Sequence, residues 1–462
     1  MKTFLAILAG LALVIAMLVV WAGTAERPEA WDPPPPPPPL ADTPGTFTLD
    51  VGPKRAKVDQ PTHVVVRGVA SNESVVLRAW TEDASGERFE SWARFAADAN
   101  GVVDTTVLSP SEGTYRTADG GGLLWSMRTS DATAYDFPSN EAEIRYRFSA
   151  ETAQGVVHAS LTRDNPIPTM TLEVVNTERV DAQFWLPPNG EEQLPAVVRL
   201  HGSEGAFNPL RAALLASNGF AVLDLRYVDS AGLPEIVAIP LETVMYGIDW
   251  LSEHPRVDAS RIGVYGGSKG AELALYASTV DPRIRAVVAW APASVAFEGI
   301  SLSRLRPGSS WSWQGQPVDY AAYQIETLST LRHVVRVLFR EASFLPIYER
   351  ALDQAPAAAE IPVEKIAGAI LLLAGSDDRM WPSVRMATLL DARLERHDHP
   401  NYETVVYDGS GHRMRYALWP DQHEPSRFVG GGSPEANHVN GGDGWQRIKA
   451  FFDRELKRSA GG

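Results

Sequence analysis

The chain contains no cysteine among its 462 residues. This absence excludes disulfide bonds, a thiolate nucleophile and cysteine-based zinc sites. Basic residues are outnumbered, since 42 Lys and Arg stand against 57 Asp and Glu, which gives a formal net charge of −15. Binding to nucleic acid requires a basic face that neutralises phosphates, so we expect no nucleic-acid partner.

The apolar content is typical of a protein with a large core. Hydrophobic residues make up 44% of the chain and charged residues 21%, which excludes a wholly disordered protein. Single hydrophobic cores stop growing at about 250–300 residues. A chain of 462 residues should therefore contain more than one domain.

The first 25 residues have the composition of a membrane segment. Residues 3–25 carry no charge, and Phe4–Trp21 is almost entirely aliphatic. About 20 apolar residues can cross a bilayer, and Lys2 before the run with acidic residues after it orients the amino terminus inward. We predict a signal anchor at residues 1–25, or alternatively a cleaved signal peptide ending near Ala25. The protein would then be membrane-anchored or exported, with its folded part on the outer (periplasmic or extracytoplasmic) side, and cytoplasmic only if this reading of the leader is wrong.

Seven consecutive prolines, Pro33–Pro39, follow the leader. Such a run adopts an extended polyproline II conformation and cannot form part of a core. We therefore predict a proline-rich stalk at residues 26–45, which would hold the folded part away from the membrane. At the other end of the chain, residues 458–462 are expected to form a flexible tail.

Two folded units are expected after the stalk. In residues 46–165, short alternating runs such as His63–Arg67 and Val75–Trp80 are broken by turn signals, which predicts a small all-β, immunoglobulin-like sandwich. In residues 166–457, apolar strands alternate with helical patterns, which predicts an α/β domain with a doubly wound, parallel sheet. The segments predicted there are strand Ala196–Leu200, helix Leu210–Asn218, strand Phe220–Leu225, helix Ile239–Leu251, strand Arg261–Tyr265, helix Ala271–Ser278 and strand Ala286–Ala291.

The sequence Gly266-Gly267-Ser268-Lys269-Gly270 lies between a predicted strand and a predicted helix. It fits the G-x-S-x-G pattern, in which a sharp strand-to-helix turn holds a serine above the carboxyl end of a sheet. Gly266 and Gly270 are needed because a Cβ at either position would collide with the neighbouring strand or helix. We predict Ser268 as a nucleophile, the alternative being an ordinary polar turn.

A serine hydroxyl needs an oriented base, and in this arrangement the acid and the histidine follow the serine along the chain. Asp377 and Asp378 come directly after the predicted strand Ala369–Leu373, and we predict Asp378 as the acid, with Asp377 as the alternative. His412 lies in a glycine-flanked loop after the last predicted strand, Thr404–Tyr407, and is predicted as the general base.

The oxyanion of an acyl-transfer reaction needs two backbone donors. One is predicted to be the N–H of Lys269, directly after the nucleophile, and the other the N–H of Ser203 or Glu204 in the loop after the strand that ends at Leu200. His201 in the same loop is interpreted as fixing the loop rather than as catalytic. This chemistry requires no metal and no cofactor.

Several motifs together resemble one known family. They are Ser111–Tyr115, Gly121–Met127, Arg211–Val222, Gly266–Leu273, Gly375–Asp378 with Trp381, and Trp445–Phe452. With these motifs the chain resembles the type I acyl-CoA thioesterase and bile acid-CoA:amino acid N-acyltransferase family. The resemblance covers about Thr46 to Leu456 and implies a sandwich-type amino-terminal domain, an α/β-hydrolase domain, and a Ser268, Asp378 and His412 triad that cleaves an acyl thioester. Because acyltransferases of the family tend to carry cysteine at the nucleophile, the serine indicates water as the acyl acceptor.

The predicted leader and the implied substrate are in conflict, because CoA is scarce outside the cytoplasmic membrane. The main prediction is hydrolysis of acyl-CoA to a fatty acid and CoA. The alternatives are an exported serine carboxylesterase for another acyl ester and a catalytically silent envelope binding protein. Arg332, Arg336 and Arg340 repeat every four residues along one face of a predicted helix, and they are candidate ligands for an anionic leaving group, the alternative being a solvated helix edge.

Overall fold

The computed structural model describes most of the folded part of the chain, namely residues 35–39, 43–83, 85–129, 141–228, 235–301, 303–304, 306–324, 343–413, 415–420 and 430–457. The predicted leader at residues 1–25, the tail at residues 458–462 and the three arginines Arg332, Arg336 and Arg340 lie outside these residues.

The amino-terminal part consists of two β-sheets. A three-stranded sheet has the order β1-β3-β6, and a six-stranded sheet has the order β2-β9-β8-β4-β5-β7. Buried side chains from both sheets belong to one apolar cluster, so the sheets pack face to face as the predicted sandwich. The strands are β1 (Thr48–Gly52), β2 (Arg55–Lys57), β3 (His63–Arg67), β4 (Ser74–Glu82), β5 (Arg88–Ala96), β6 (Val102–Asp104), β7 (Glu112–Gly113), β8 (Glu143–Thr152) and β9 (Gly155–Asp164), with a short helix α1 (Gly122–Trp125) before β8.

An eight-stranded sheet forms the second part. Its order is β10-β11-β13-β12-β15-β16-β19-β20, and every pair from β13 to β20 is parallel. At one edge of the sheet, β10 is antiparallel to β11, and β11 is antiparallel to β13. The sequence did not predict this detail. The strands are β10 (Thr171–Asn176), β11 (Asp181–Leu186), β12 (Leu194–Leu200), β13 (Ala221–Arg226), β15 (Val257–Gly267), β16 (Ile284–Trp290), β19 (Ala369–Gly375) and β20 (Tyr402–Tyr407).

Helices cover both faces of this sheet, as expected for parallel strands joined by crossover connections. A third, small sheet beside it contains β14 (Ile239–Pro240), β17 (Trp311–Trp313) and β18 (Gln316–Pro317). The α-helices of this part are α2 (Pro209–Ser217), α3 (Glu242–Glu253), α4 (Lys269–Val280), α5 (Leu345–Asp353), α6 (Ser383–Arg396) and α7 (Pro434–Phe452), with 3-10 turns at Ile167–Thr169, Ala357–Ala359 and Val363–Lys365 and a π-helical turn at Asp453–Lys457.

The helix predicted over Ile239–Leu251 begins three residues later than expected. Ile239 and Pro240 form β14, which pairs with Trp311 and Ser312. Helix α3 therefore begins at Glu242. A partner strand 72 residues further along the chain decides this boundary, and the local helical pattern carries no information about it.

The sandwich and the α/β part share a continuous core. One apolar cluster joins the sandwich interior to the face of the large sheet that α2 and α7 cover, and a second cluster lies on the face under α3 and α4. Asp59, buried at the junction, accepts hydrogen bonds from Trp445 Nε1 at 2.7 Å and from Lys449 Nζ at 2.6 Å. The Trp125 ring stacks on that of His438 with 4.4 Å between ring centroids. The sandwich therefore packs directly against helix α7.

The membrane-anchored or exported localisation predicted from the leader is wrong, because the structure gives it no support. Across residues 35–457, wherever the structure describes the chain, no helix is both long and apolar enough to span a bilayer. Of the predicted stalk, Pro35–Pro39 has no regular secondary structure, and the carbonyl oxygen of Pro37 accepts a hydrogen bond of 2.6 Å from Arg78 on β4. This part of the proline run lies against the sandwich.

Candidate active site

Ser268 occupies the sharp turn between β15 and α4. Its backbone has a φ of 57° and a ψ of −125°, a conformation that residues other than glycine rarely adopt. The Ser268 N–H donates a 2.9 Å hydrogen bond to the carbonyl oxygen of Trp290 at the end of the neighbouring strand β16. Strain of this kind is found where surrounding structure fixes a functional side chain, and Ser268 lies in the wall of a cavity.

Two glycines allow the turn. A Cβ on Gly266 would lie 2.0 Å from the carbonyl oxygen of Gly270, and a Cβ on Gly270 would lie 2.2 Å from the carbonyl oxygen of His201. Both distances are far below van der Waals contact. Only glycine at these positions lets β15, α4 and the loop after β12 approach so closely around Ser268.

His412 and Asp378 meet beside this turn. Nδ1 of His412 lies 2.9 Å from Oδ2 of Asp378, and both side chains are buried. The other carboxylate oxygen accepts hydrogen bonds from the N–H of Met380 at 2.8 Å and of Trp381 at 3.2 Å. The carboxylate therefore fixes the imidazole through Nδ1 and leaves Nε2 for proton transfer.

The serine and the histidine line one cavity. In the described part of the chain, no hydrogen bond joins the Ser268 hydroxyl to the His412 ring. Such contacts are often long in hydrolases without substrate and shorten in the reacting complex.

Asp377, the alternative acid, has different partners. Its Oδ2 accepts a 2.8 Å hydrogen bond from the N–H of Gly432, and its Oδ1 accepts one of 3.0 Å from Arg379 Nε. The two neighbouring aspartates thus point in different directions. Only Asp378 reaches His412.

Two residues in the wall of the Ser268 cavity have a backbone N–H group without an acceptor among the described residues. Lys269 is the first residue of α4, where N–H groups have no partner in their own helix, and Ser203 lies in the loop after β12. Within the described residues neither N–H makes a hydrogen bond, and both residues line the cavity. The carboxylate of Glu204, by contrast, accepts the N–H of Gly202 at 3.0 Å and contacts the N–H of Glu204 itself. Ser203 is therefore better placed than Glu204 as the second donor.

His201 is fully buried and holds the loop that carries Ser203. Its Nε2 accepts a 3.2 Å hydrogen bond from the N–H of Tyr227, so Nδ1 carries the proton and donates at 2.6 Å to the carbonyl oxygen of Gly202. The Tyr227 ring stacks on the imidazole with 3.9 Å between centroids. Burial lowers the pKa of His201 below its usual value of 6.5 and keeps the ring neutral.

Acidification is expected to destabilise the protein through His201. Because its pKa is lower in the folded chain, the unfolded chain binds a proton first as the pH falls below 6.5. The free energy of unfolding should then fall by up to about 1.4 kcal/mol per pH unit until the pH reaches the folded-state pKa. Urea unfolding at pH values from about 7.5 to 5.5 measures this loss. His201→Gln should be less stable near pH 7.5 but show a shallower pH slope, and an unchanged slope would contradict the assignment.

A buried ion pair lies directly behind the nucleophile turn. Nζ of Lys269 donates to Oε2 of Glu272 at 2.7 Å and to Oγ of Ser310 at 2.8 Å, while Oε1 of Glu272 accepts the indole N–H of Trp311 at 2.7 Å. Lys269 is 1% exposed and Glu272 is 0% exposed. Burial lowers the pKa of Lys269, and the Glu272 carboxylate opposes that shift. The pair ties the start of α4 to the segment that leads into β17.

Removing one partner of this pair is expected to cost far more than removing both. Glu272→Gln leaves the Lys269 ammonium buried without a counter-charge, and we expect a loss of about 3–5 kcal/mol in the free energy of unfolding. The double variant Lys269→Met/Glu272→Gln should recover at least half of that loss. Glu403→Gln, which breaks an exposed pair with Arg447, is the matched control and should cost less than about 1 kcal/mol. Equal losses in the single and double variants, measured by urea unfolding, would contradict this interpretation.

The cavity above Ser268 has a volume of about 540 Å³. This size lies within the range of small-molecule sites. Its wall combines aromatic rings with guanidinium groups. Besides the residues described above, it includes Arg199, Asn208, Leu210, Arg211, Trp290, Tyr348, Met380, Arg413, Arg415, Tyr416, Trp419 and His438.

These arginines differ from those proposed from the sequence. Arg332, Arg336 and Arg340 lie outside the described residues, whereas Arg211, Arg413 and Arg415 line the cavity. One local signal could have identified Arg211. It is a cation in the first turn of a helix, three residues after the N-cap Asn208, where the helix dipole disfavours positive charge.

Two models of one protein family match the chain. The "Acyl-CoA thioester hydrolase/BAAT N-terminal region" matches residues 59–173, and the "BAAT / Acyl-CoA thioester hydrolase C terminal" model matches residues 239–458. Among curated relatives, acyl-coenzyme A thioesterase 6 of Mus musculus is 29% identical over 432 residues, which cover 88% of this chain and 97% of the relative. The peroxisomal succinyl-coenzyme A thioesterase of Mus musculus is 26% identical over 426 residues, with the same coverage of both chains, 88% and 97%.

Solved structures of hydrolases are also similar to the chain. The carboxylesterase EstE1 from a metagenomic library has 15% identity and a TM-score of 0.38, over 63% of this chain and 89% of the esterase. A puromycin-hydrolysing peptidase of Mycobacterium tuberculosis has 13% identity and a TM-score of 0.40, over 90% of this chain and 69% of the peptidase.

The matched residues span both the sandwich and the α/β part, including the strands and loops that carry Ser268, Asp378 and His412. The relatives match along nearly their whole length. The chain therefore belongs to the family of acyl-CoA thioester hydrolases and bile acid-CoA:amino acid N-acyltransferases, and it is a thioester or ester hydrolase with an α/β-hydrolase fold.

Proposed function

We propose that the protein hydrolyses acyl-CoA to a free carboxylic acid and CoA through an acyl-enzyme on Ser268. The observation that carries the proposal is the 2.9 Å contact between Nδ1 of His412 and Oδ2 of Asp378, in the wall of the same cavity as Ser268. A base oriented in this way is what a serine hydroxyl needs to attack a carbonyl carbon. The acyl-CoA substrate class rests on the names of the relatives.

In the first half of the proposed reaction, Nε2 of His412 takes the Ser268 proton as the hydroxyl oxygen attacks the thioester carbonyl. Asp378 stabilises the imidazolium that forms. The N–H groups of Lys269 and Ser203 hold the oxyanion, and each such donor contributes about 2.7–4 kcal/mol in well-studied hydrolases. The carbon–sulfur bond then breaks, and the CoA thiolate leaves with the proton from His412.

In the second half, water replaces CoA. His412 removes a proton from the water as its oxygen attacks the acyl-enzyme, and then returns that proton to Ser268 as the carboxylic acid is released. The absence of cysteine from the chain fits water as the acceptor, since the resemblance associates a cysteine nucleophile with amino-acid acceptors. Ser268 and His412 carry out every proton transfer in the cycle.

We also propose the domain division that the sequence predicts, with a boundary at residues 165 and 166. It is supported by the strands, since the sandwich ends with β9 at Asp164 and the large sheet begins with β10 at Thr171. In this division the α/β domain supplies the whole reaction site. The sandwich contacts that site through Trp125, whose ring stacks on His438 in the cavity wall.

The direct test of the substrate is release of free thiol from saturated acyl-CoAs of increasing chain length by the purified full-length protein. The proposal predicts turnover that saturates with substrate and peaks at one range of chain lengths. Aryl acetates serve as the comparison substrates, because they lack CoA. Cleavage of aryl esters without release of thiol from any acyl-CoA would contradict the acyl-CoA assignment.

A further inference from the structure

The loop that carries His412 is rich in glycine. Gly409 and Gly411 precede the histidine, and glycine gives the backbone more conformational freedom than any other residue. Gly409 has a φ of 67°, which other residues adopt rarely. Ser268, by contrast, is held directly between a strand and a helix. A catalytic group must stay within about 0.5 Å of its working position, so contacts from outside the loop must hold His412 in place.

Asn437, near the start of α7, holds this loop on both sides of His412. Its Oδ1 accepts a 2.8 Å hydrogen bond from the N–H of Gly411, directly before the histidine. Its backbone carbonyl oxygen accepts one of 2.7 Å from the N–H of Arg415, three residues after the histidine. The N–H of His412 itself donates at 2.9 Å to the carbonyl oxygen of Gly430. Two of these three contacts therefore come from one residue.

The side-chain amide of Asn437 occupies a narrow space between two glycine backbones. A Cβ on Gly411 would lie 2.0 Å from the carbonyl oxygen of Gly431, and a Cβ on Gly432 would lie 2.4 Å from Oδ1 of Asn437. While Oδ1 accepts the N–H of Gly411, Nδ2 donates at 3.3 Å to the carbonyl oxygen of Gly431. An amide supplies both the acceptor and the donor that these backbones need, whereas a carboxylate supplies acceptors alone.

Helix α7 holds Asn437 in a defined place. The helix begins after the N-cap Ser433, whose hydroxyl accepts a 3.0 Å hydrogen bond from a backbone N–H of the first turn. The residue after Asn437 is His438, whose ring stacks on Trp125 of the sandwich with an angle of 6° between the ring planes. Side chains on helices are positioned more precisely than those on loops. The turn of α7 that reaches the catalytic loop is therefore held by its cap and by the sandwich.

We infer that Asn437 is a positioning residue for His412, because its amide fixes the backbone directly before the histidine and so keeps the imidazole against Asp378. The inference rests on the proposed reaction and adds the residue that sets the place of its base. In the described part of the chain, Asn437 is not one of the residues that line the cavity. It acts on the chemical step through His412 and leaves substrate binding unchanged.

The first test is Asn437→Ala, assayed on the acyl-CoA that the wild type hydrolyses fastest. This change removes the contact to Gly411 and keeps the backbone contact to Arg415. A shift of a reacting group by about 1 Å costs about 100-fold in rate, so we expect kcat to fall by about 30- to 100-fold with KM within about threefold of the wild type. A kcat within about threefold of the wild type would overturn the inference, and so would a loss of kcat/KM that comes entirely from KM.

Asn440→Ala is the matched control. Asn440 lies one turn further along α7, and its amide donates to the carbonyl oxygen of Asp408 at 2.9 Å and to Oγ of Ser410 at 2.8 Å. It holds the same loop to the same helix, but not beside His412, and Ser410 keeps a second hydrogen bond to α7 without it. The control should leave kcat within about threefold of the wild type. In urea unfolding it should lower the midpoint about as much as Asn437→Ala. Equal losses of kcat in the two variants would overturn the inference.

A conservative variant identifies the contact that matters. Asn437→Asp keeps an acceptor for the N–H of Gly411 and loses the donor to Gly431. Because the contact to Gly411 is the shorter of the two, this variant should have a kcat at least about fivefold above that of Asn437→Ala and below that of the wild type. No recovery of kcat would overturn the assignment of the effect to the Gly411 contact.

A crystal structure of Asn437→Ala separates this inference from the proposed reaction. The distance between Nδ1 of His412 and Oδ2 of Asp378 is 2.9 Å in the wild type. In the variant it should exceed about 3.5 Å, or the imidazole should occupy more than one position. An imidazole that keeps its wild-type position would overturn the inference. This result does not depend on turnover, so if the wild type hydrolyses no thioester, the proposed function alone fails.

Discussion

Replacing Ser268 with alanine is expected to lower kcat for thioester hydrolysis by a factor on the order of 10⁴ or more. In the proposed mechanism the Ser268 hydroxyl forms the acyl bond, and alanine has no group that can attack the carbonyl carbon. Folding should be retained, because alanine carries a Cβ as serine does and meets the φ of 57° with the same steric constraint. Free-thiol release and urea unfolding of the same preparations separate the two effects.

Ser260→Ala is the matched control for this change. Ser260 lies near the exposed start of the same strand, β15, where its hydroxyl donates a hydrogen bond to Asp258 of that strand. It should leave kcat within about threefold of the wild type and change stability by less than about 1 kcal/mol. A Ser268→Ala protein that folds normally and retains more than about a tenth of wild-type kcat would rule out the acyl-enzyme mechanism.

The second large effect is expected at Asp378, one of two adjacent aspartates. Asp378→Asn should lower kcat by about 10³- to 10⁴-fold, because an amide can no longer select the tautomer of His412 or stabilise its protonated form. Asp377→Asn should change kcat by less than about threefold, since Asp377 bonds to Gly432 and Arg379 instead. The two substitutions remove the same charge one residue apart. Steady-state kinetics on both variants therefore test orientation rather than local electrostatics.

Either variant could also act through the fold, so both need a stability measurement. Asp377→Asn loses an ion pair that is about half exposed and should cost less than about 1 kcal/mol in the free energy of unfolding. If Asp377→Asn lowered kcat more than Asp378→Asn while both remained folded, the assignment of Asp378 as the orienting acid would be wrong.

The parts of the fold predicted most closely are those fixed by local pattern. The strand predicted at Ala369–Leu373 is observed as Ala369–Gly375, and the helix predicted at Leu210–Asn218 is observed as Pro209–Ser217. Strands buried on both faces give continuous apolar runs, and the helix carries clear end signals at Asn208 and Gly219. Ile239 and Pro240 were assigned wrongly because a distant strand, β17, determines their structure.

The candidate site likewise contains some residues that a local pattern predicts and others that depend on distant segments. Ser268 and His412 could be named from sequence because glycine-flanked loops after strands are local signals. The choice between Asp377 and Asp378 could only be weighed, since both follow the same strand and their directions depend on the loops at Gly430–Gly432 and His412. The contacts of the Arg211 guanidinium with the Tyr265 and Tyr416 rings join segments far apart in the chain, and no local pattern predicts them.

The measurement that tests the central claim most directly is labelling with a fluorophosphonate, followed by peptide mapping and assay of thioesterase activity on the same sample. We predict one equivalent of label, located on the peptide that contains Ser268, and a loss of acyl-CoA hydrolysis in proportion to the labelled fraction. Full hydrolytic activity in protein that is labelled at Ser268, or loss of activity through label at a different residue, would contradict the mechanism.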